Sequence, residues 1–258
     1  MKQVILLSSH IFNEFIISQY NKLREVTNND TDLFLLIEYD DRLVIPDNIK
    51  YCLFDVDTLN NLHYEPIRET ILPGSNHFPV LQFYKNHPQY DYYWNIEYDV
   101  YFNGEWKILF EAYKNVDSDF ISSYVGRFFQ NPQWGWWSSL QLKTIDIPET
   151  QFVKSFNPIY RISNKALNVL DKVLLEGNSG HHEVLIPTVL NYLGYQVNDF
   201  GGIGEFVLPG FENSFYHTNS NVENLFYTSN SMRYRPTFDL DVLEQGIKNN
   251  LLFHPVKG

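Results

Sequence analysis

Two carboxylates one residue apart, Glu97 and Asp99, follow a run of aromatic and branched residues, Tyr92, Tyr93, Trp94 and Ile96. Such a run reads as a buried strand, which places the acidic pair at a strand's carboxyl end. Ligands of open α/β sheets bind outside those ends. Two hard oxygen ligands on a short loop suit a divalent cation such as Mg²⁺ or Mn²⁺, and through it a diphosphate. Acidic pairs also occur in ordinary loops, so the pair gains weight only from what surrounds it. A second cluster is Trp134, Trp136 and Trp137, beside Pro132 and Gly135. Indole faces stack on the apolar C–H faces of sugars, which makes this loop a candidate sugar platform. The alternative is that the indoles cover the hydrophobic face of a sheet.

The elements that must position these groups alternate along the chain. Gln3–Leu7 reads as a buried strand, and Ser8, Ser9 and His10 as the loop at its end. Helical spacing runs over Ile11–Val26, with Phe12, Phe15, Ile16, Tyr20 and Leu23 on one face. Leu33–Ile37 is a second strand, ending near Asp40 and Asp41, and Tyr51–Phe54 a third. A helix over Phe78–Asn86 leads into the strand before Glu97; Asn103 and Gly104 form a turn and Glu105–Lys114 a helix. Asp119–Tyr124 is a strand, Val125–Ser139 a loop, and Asn157–Ile162 a short strand. Ser163 caps a helix over Lys165–Leu175. His181, His182 and Glu183 open another, whose face carries Val184, Leu185, Val189 and Leu190 and which Gly194 ends. From Leu208 on the chain is polar and irregular, with Asn219, Asn221, Tyr227, Arg233 and Arg235. A short helix about Leu240–Lys248 and an apolar run ending in His254, Pro255, Val256 and Lys257 close it. Short loops between alternating strands and helices predict an α/β domain with a mostly parallel central sheet flanked by helices.

Bulk properties narrow the function classes. A chain of 258 residues, 44% hydrophobic, is long enough for one large α/β domain or two small ones, and the single domain is the expectation here. The formal charge of -12 argues against nucleic acid as a partner, because phosphate backbones need clustered Lys and Arg. Cys52 is the single cysteine, so no intramolecular disulfide forms, which fits a reducing compartment. The opening MKQVILLSSH is too short in apolar residues for a secretory leader, and no segment approaches the ~18 apolar residues of a membrane span. These points predict a cytoplasmic protein, with peripheral membrane association left open.

The order of these features resembles that of GT-A type glycosyltransferases, nucleotide-diphospho-sugar transferases with a Rossmann-like sheet. Their acidic-x-acidic signature is written here Glu97-Tyr98-Asp99, with Glu in the first position. The segment HHEVLIPTVLNYLG resembles the late helix that opens on the catalytic base of inverting members, most closely in the core-2 branching type of N-acetylglucosaminyltransferase. The resemblance implies Glu183 as general base; the plain alternative is an acid stabilising its own helix dipole by ~0.3–1 kcal/mol. It implies that Ser8, Ser9 and His10 meet the nucleoside and that Asp40 or Asp41 accepts a ribose or base hydrogen bond. Turns rich in Ser and Asp explain the same residues without a ligand. It further implies that His254 joins Glu97 and Asp99 on a Mn²⁺ or Mg²⁺ ion, with Lys257 on the diphosphate and Arg233 and Arg235 as alternative phosphate partners. Residues 1–125 would form the nucleotide-sugar half, and 126–258 the acceptor half with the tail. Trp134, Trp136, Trp137 and His182 would then seat a glycan acceptor. The expected activity is inverting transfer from a UDP-linked sugar to a hydroxyl, in a role such as surface-polysaccharide synthesis. Two other readings stay open: a sugar-phosphate nucleotidyltransferase, against which the loop SSHIFNEF lacks a Gly-rich basic segment, and a non-catalytic carbohydrate-binding protein.

Overall fold

The computed structural model describes residues 1–218 and 230–257; Asn219, Asn221 and Tyr227 lie outside the described residues. The first strand, β1 (Gln3–Ser9), is followed by α1 (Glu14–Arg24), β2 (Thr31–Glu38), β3 (Tyr51–Phe54) and a short α2 (Asp57–Asn61). Next come α3 (His77–Asn86), β4 (Tyr92–Glu97), β5 (Tyr101–Asn103), α4 (Trp106–Tyr113) and β6 (Phe120–Arg127). The rest comprises β7 (Val153–Ser163), α5 (Asn164–Leu175), α6 (His182–Tyr192), β8 (Val197–Asp199), β9 (Phe238–Asp239), α7 (Leu240–Gln245), β10 (Leu251–Phe253) and β11 (Val256–Lys257).

Seven strands form the central sheet in the order β3-β2-β1-β4-β7-β6-β8. Every neighbouring pair is parallel except those made by β7, which runs against both β4 and β6. The α/β class and mostly parallel sheet are those expected from the sequence. Alternation along β1 explains the layering: Val4 and Leu6 face one core, with α3, α5 and α6, while Ile5 and Leu7 face the other, with α1 and α4. Burying both faces of a strand is what parallel sheets require. Helix starts are set locally: Asn13 accepts the Ile16 N–H at 3.1 Å, and Ser163 accepts the Ala166 N–H at 3.1 Å.

Three differences from the sequence reading bear on the site. The strand expected over Asn157–Ile162 begins at Val153, and the polar residues Lys154, Ser155 and Asn157 inside it are buried. Ser155 and Asn157 hydrogen-bond to the first turn of α6 and Lys154 lies over the Trp134 ring, contacts that stand where an apolar pattern would have marked the strand. β6 likewise runs on to Arg127, into the stretch expected to be a loop. Asn103, expected in a turn, ends β5, which pairs antiparallel with β10 through Leu252 and Phe102. That pairing spans most of the chain and leaves no local trace.

Candidate functional site

After β3 the chain returns to the opposite side of β1 to form β4, so the strand order reverses between β1 and β4. The carboxyl ends flanking such a switch point are where a ligand crevice opens in α/β sheets. Ser8 lies beside Glu97 in the β1–β4 register, and the Tyr98 N–H donates to the Ser8 carbonyl at 2.9 Å. Asn76, just before α3, donates from Nδ2 to Glu97 Oε1 at 3.0 Å. The Val256 N–H donates to the Asp99 carbonyl at 2.8 Å, which ties the tail to the acidic turn.

His254 reaches this turn between β10 and β11. Its Nδ1 stands 2.8 Å from the Arg233 carbonyl, and a carbonyl only accepts, so Nδ1 carries a proton. The other nitrogen, Nε2, lies 3.5 Å from Asp99 Oδ1 and 4.0 Å from Glu97 Oε2. One ligand atom from each of the three residues falls within 4.8 Å of the others. Asp99 Oδ1 is buried and, among the described residues, has only the long His254 contact. Burial, then the charge of Asp99, push the Glu97 carboxyl up to about 7. Burial alone would lower His254, but its contact with Asp99 and the two negative charges raise its imidazole. Two carboxylates and an imidazole, one buried oxygen among them held only by that long contact, form a donor set that fits a divalent cation, which would relieve the mutual repulsion of the acids.

Glu183 occupies the first turn of α6, where β7 sets its surroundings. The Asn157 N–H donates to Glu183 Oε1 at 3.2 Å, and Asn157 Nδ2 donates to the His182 carbonyl at 3.1 Å. Pro187 lacks the N–H that would bond the Glu183 carbonyl within the helix, and the Ser155 hydroxyl donates to that carbonyl at 3.5 Å. Burial pushes the Glu183 carboxyl up to about 8; the Asn157 N–H opposes this, and the Glu97 charge adds to it. Phe156, the next residue on β7, packs edge-on against His254 with ring centres 5.3 Å apart. One short stretch of the reversed strand thus touches both His254 and Glu183.

The tryptophans divide. Trp137 is buried against Phe128, Trp134 and Phe152, and its Nε1 donates to the Asn131 carbonyl at 2.8 Å. Trp134 and Trp136 are half-exposed. The Lys154 ammonium lies 5.6 Å from the Trp134 ring centre, and Trp136 stacks on His181 at 4.1 Å. His182 is buried, stacks on His77 at 6.2 Å, and donates its N–H to the Gly74 carbonyl at 3.0 Å. Gly74 has φ +107, a backbone conformation that strains any residue with a Cβ, which favours glycine there.

The remaining candidates sit as follows. Ser8 Oγ donates to Asn95 Oδ1 at 2.5 Å, and Ser9 Oγ donates to the Ile11 carbonyl at 2.7 Å, closing the turn after β1. His10 is exposed and meets the Tyr98 ring edge-on at 4.9 Å. Asp40 is paired with Arg42 at 2.6 Å, and hydrogen bonds from Arg42 hold its carboxyl well below the usual range. Arg233 is buried; its Nε donates to the Pro236 carbonyl at 2.7 Å, and its guanidinium covers Phe238 at 3.6 Å. Arg235 is exposed, with its charge acting on the Tyr98 hydroxyl, and Lys257 is exposed on β11. A surface depression of about 660 Å³, lined among others by Asp91, Asp117 and Lys165, lies at the opposite, amino-terminal edge of the sheet. Sequence reasoning missed Asn76, Asn157, Phe156, Lys154 and His77. Asn76 had one signal, its place just before the helix that feeds β4; the others depend on pairing and burial.

A family model described as a protein of unknown function, DUF3405, matches residues 52–119, from β3 to the end of the α4–β6 connection. No curated protein is similar to the chain. Among solved structures, glucosyl-3-phosphoglycerate synthase from Mycobacterium tuberculosis, in complex with Mg²⁺ and uridine diphosphate, is 13% identical. That match covers 77% of this chain and 68% of that one, with a TM-score of 0.44. An active-site mutant of LgtC is 9% identical over 91% of this chain and 88% of that one, with a TM-score of 0.44. A putative glucose-1-phosphate thymidylyltransferase from Bacillus anthracis, in complex with a sucrose, is 12% identical over 78% and 87%, with a TM-score of 0.43.

Proposed function

We propose that this chain is a glycosyltransferase that moves a sugar from a nucleoside diphosphate, UDP in our reading, to a hydroxyl acceptor with inversion. The observation that carries this reading is the meeting of Glu97, Asp99 and His254 at the β1–β4 switch point, with Glu183 near enough to feel the Glu97 charge. In the reaction, the acceptor oxygen bonds to the anomeric carbon as the bond from that carbon to the diphosphate breaks, its electron pair leaving with the diphosphate. Glu183 takes the acceptor's proton, which requires its carboxyl ionised. Glu97, Asp99 and His254 would hold a divalent cation, Mn²⁺ being favoured by the imidazole, and such an ion offsets charge on the departing diphosphate. Arg235, exposed beside Tyr98, and Lys257 supply further positive charge at the rim. Trp134 and Trp136 seat the acceptor sugar, and Trp137 holds their loop down. The acceptor's class is a glycan, and cytoplasmic polysaccharide synthesis is the setting we assign.

The test is a thermal-shift panel of UDP, GDP and CMP with and without Mn²⁺. The expected result is a stabilisation by UDP that needs Mn²⁺ and disappears in Asp99→Ala. A stabilisation by CMP alone, or by simple sugars without nucleotide, would sink the reading.

A further inference from the structure

The proposed base is held by a neighbour that the reaction itself does not use. His181 is the N-cap of α6: its Nδ1 accepts the Glu183 N–H at 3.3 Å and stands 3.7 Å from Glu183 Oε2. A cap acceptor must keep its lone pair, and burial does this by pulling the His181 imidazole down to about 3. The ring is fixed from the other side by the loop before β7. Trp136 lies on it nearly parallel, at 4.1 Å and 22°. Ser139 Oγ accepts the His181 backbone N–H at 3.0 Å, and Gln141 and Ser179 exchange backbone hydrogen bonds of 2.8 and 2.9 Å. The loop carrying the half-exposed tryptophans is therefore fastened at three points to the segment that enters α6, Ser179 and His181, one of them the capping ring.

We infer that Trp136 and His181 are positioning residues: the indole clamps the imidazole that caps α6, and through that cap it sets the carboxyl of Glu183. This deepens the glycosyltransferase reading and rests on it for the role of Glu183. A sugar docked on the tryptophan loop then bears on the ring that orients the base, so acceptor binding and base placement are coupled. His182, stacked on His77 and bonded to Gly74, backs the same turn from the core side and keeps it from giving way.

The test combines amide exchange with turnover. Exchange of the Glu183 amide, read by NMR, rises about fivefold when a side-chain cap is lost. That rise is expected in Trp136→Leu and His181→Ala, whereas His181→Asn, which restores a cap acceptor, keeps wild-type protection. Turnover is read as Mn²⁺-dependent hydrolysis of UDP-glucose, UDP-galactose and UDP-N-acetylglucosamine, with water as acceptor so that the sugar platform plays no part. His181→Ala is expected to lower kcat about tenfold with KM for the donor unchanged, as displaced catalytic groups do, and His181→Asn to recover most of it. Unchanged Glu183 exchange in Trp136→Leu overturns the inference, whatever the turnover. Wild-type turnover in Glu183→Gln instead overturns the role of Glu183 and leaves the clamp as a structural device.

Discussion

At the scale of single residues, the site depends on carboxyls held away from their ordinary acidity. Glu183 is pushed up to about 8 mainly because it is buried. A base works only in its ionised form, so the rate of sugar transfer should climb as pH rises through about 8 and level off above it. A flat profile between pH 6 and 9 would separate Glu183 from the reaction. Replacing Glu183 by Gln keeps its size and removes the base; kcat is expected to fall by about 10² to 10⁴, with UDP binding intact by calorimetry. Asp99 gives a complementary result, because its buried oxygen, 3.5 Å from His254 Nε2, is the atom a cation would satisfy. Asp99→Ala should abolish the Mn²⁺-dependent part of UDP binding and leave thermal stability without ligand nearly unchanged or higher, since a repelling charge is removed. The acidic pair at a strand end and the cap at Ser163 were legible from residue type and position, whereas Glu183 was singled out through the resemblance of its helix. The roles of Asn157 and His181 were not, because a side chain that orients another is identified by contact rather than by composition.

At the scale of elements, the C-terminal ribbon matters most. His254 is brought to the acidic turn by the pairing of β10 with β5, by the Val256–Asp99 hydrogen bond, and by the bridge between Met232 and His254. Leu252 is fully buried at the centre of that pairing. Leu252→Ala should cost about 2–4 kcal/mol by denaturant unfolding. It should also weaken Mn²⁺-dependent UDP binding, although Leu252 touches neither ligand. A loss of stability without that second effect would mean that the ribbon does not position His254. The reversed strand β7 has the same standing on the other side, linking Phe156 to His254 and Asn157 to Glu183. Its polar start, Lys154 and Ser155, hid it from a reading based on hydrophobic alternation.

At the scale of the whole molecule, the strand order binds the two halves together. β6 belongs to the first half of the chain, yet it lies between β7 and β8 of the second, and β7 separates it from β4. A fragment of residues 1–125 would leave the edges of both β4 and β6 unpaired, and it should fail to fold, as judged by circular dichroism and amide dispersion. The full chain should unfold in one transition, with far-UV ellipticity and tryptophan fluorescence giving the same midpoint.

Periodicity, caps and turn residues specified β1 to β4, α1, α5 and α6 before any coordinates, because each of those signals is carried by neighbours a few positions apart. They also marked the acidic turn as a strand end. What they could not supply was the company that turn keeps. His254 lies more than half the chain away, and the reversed strand beside β4 carries polar residues, Lys154 and Ser155, near its start. Such long-range pairings are selected by the burial of shared surfaces and by hydrogen bonds between distant segments, and neither leaves a repeating pattern along the chain. The candidate groups were therefore legible locally, one residue at a time, while the meeting of Glu97, Asp99 and His254 came from the folded sheet.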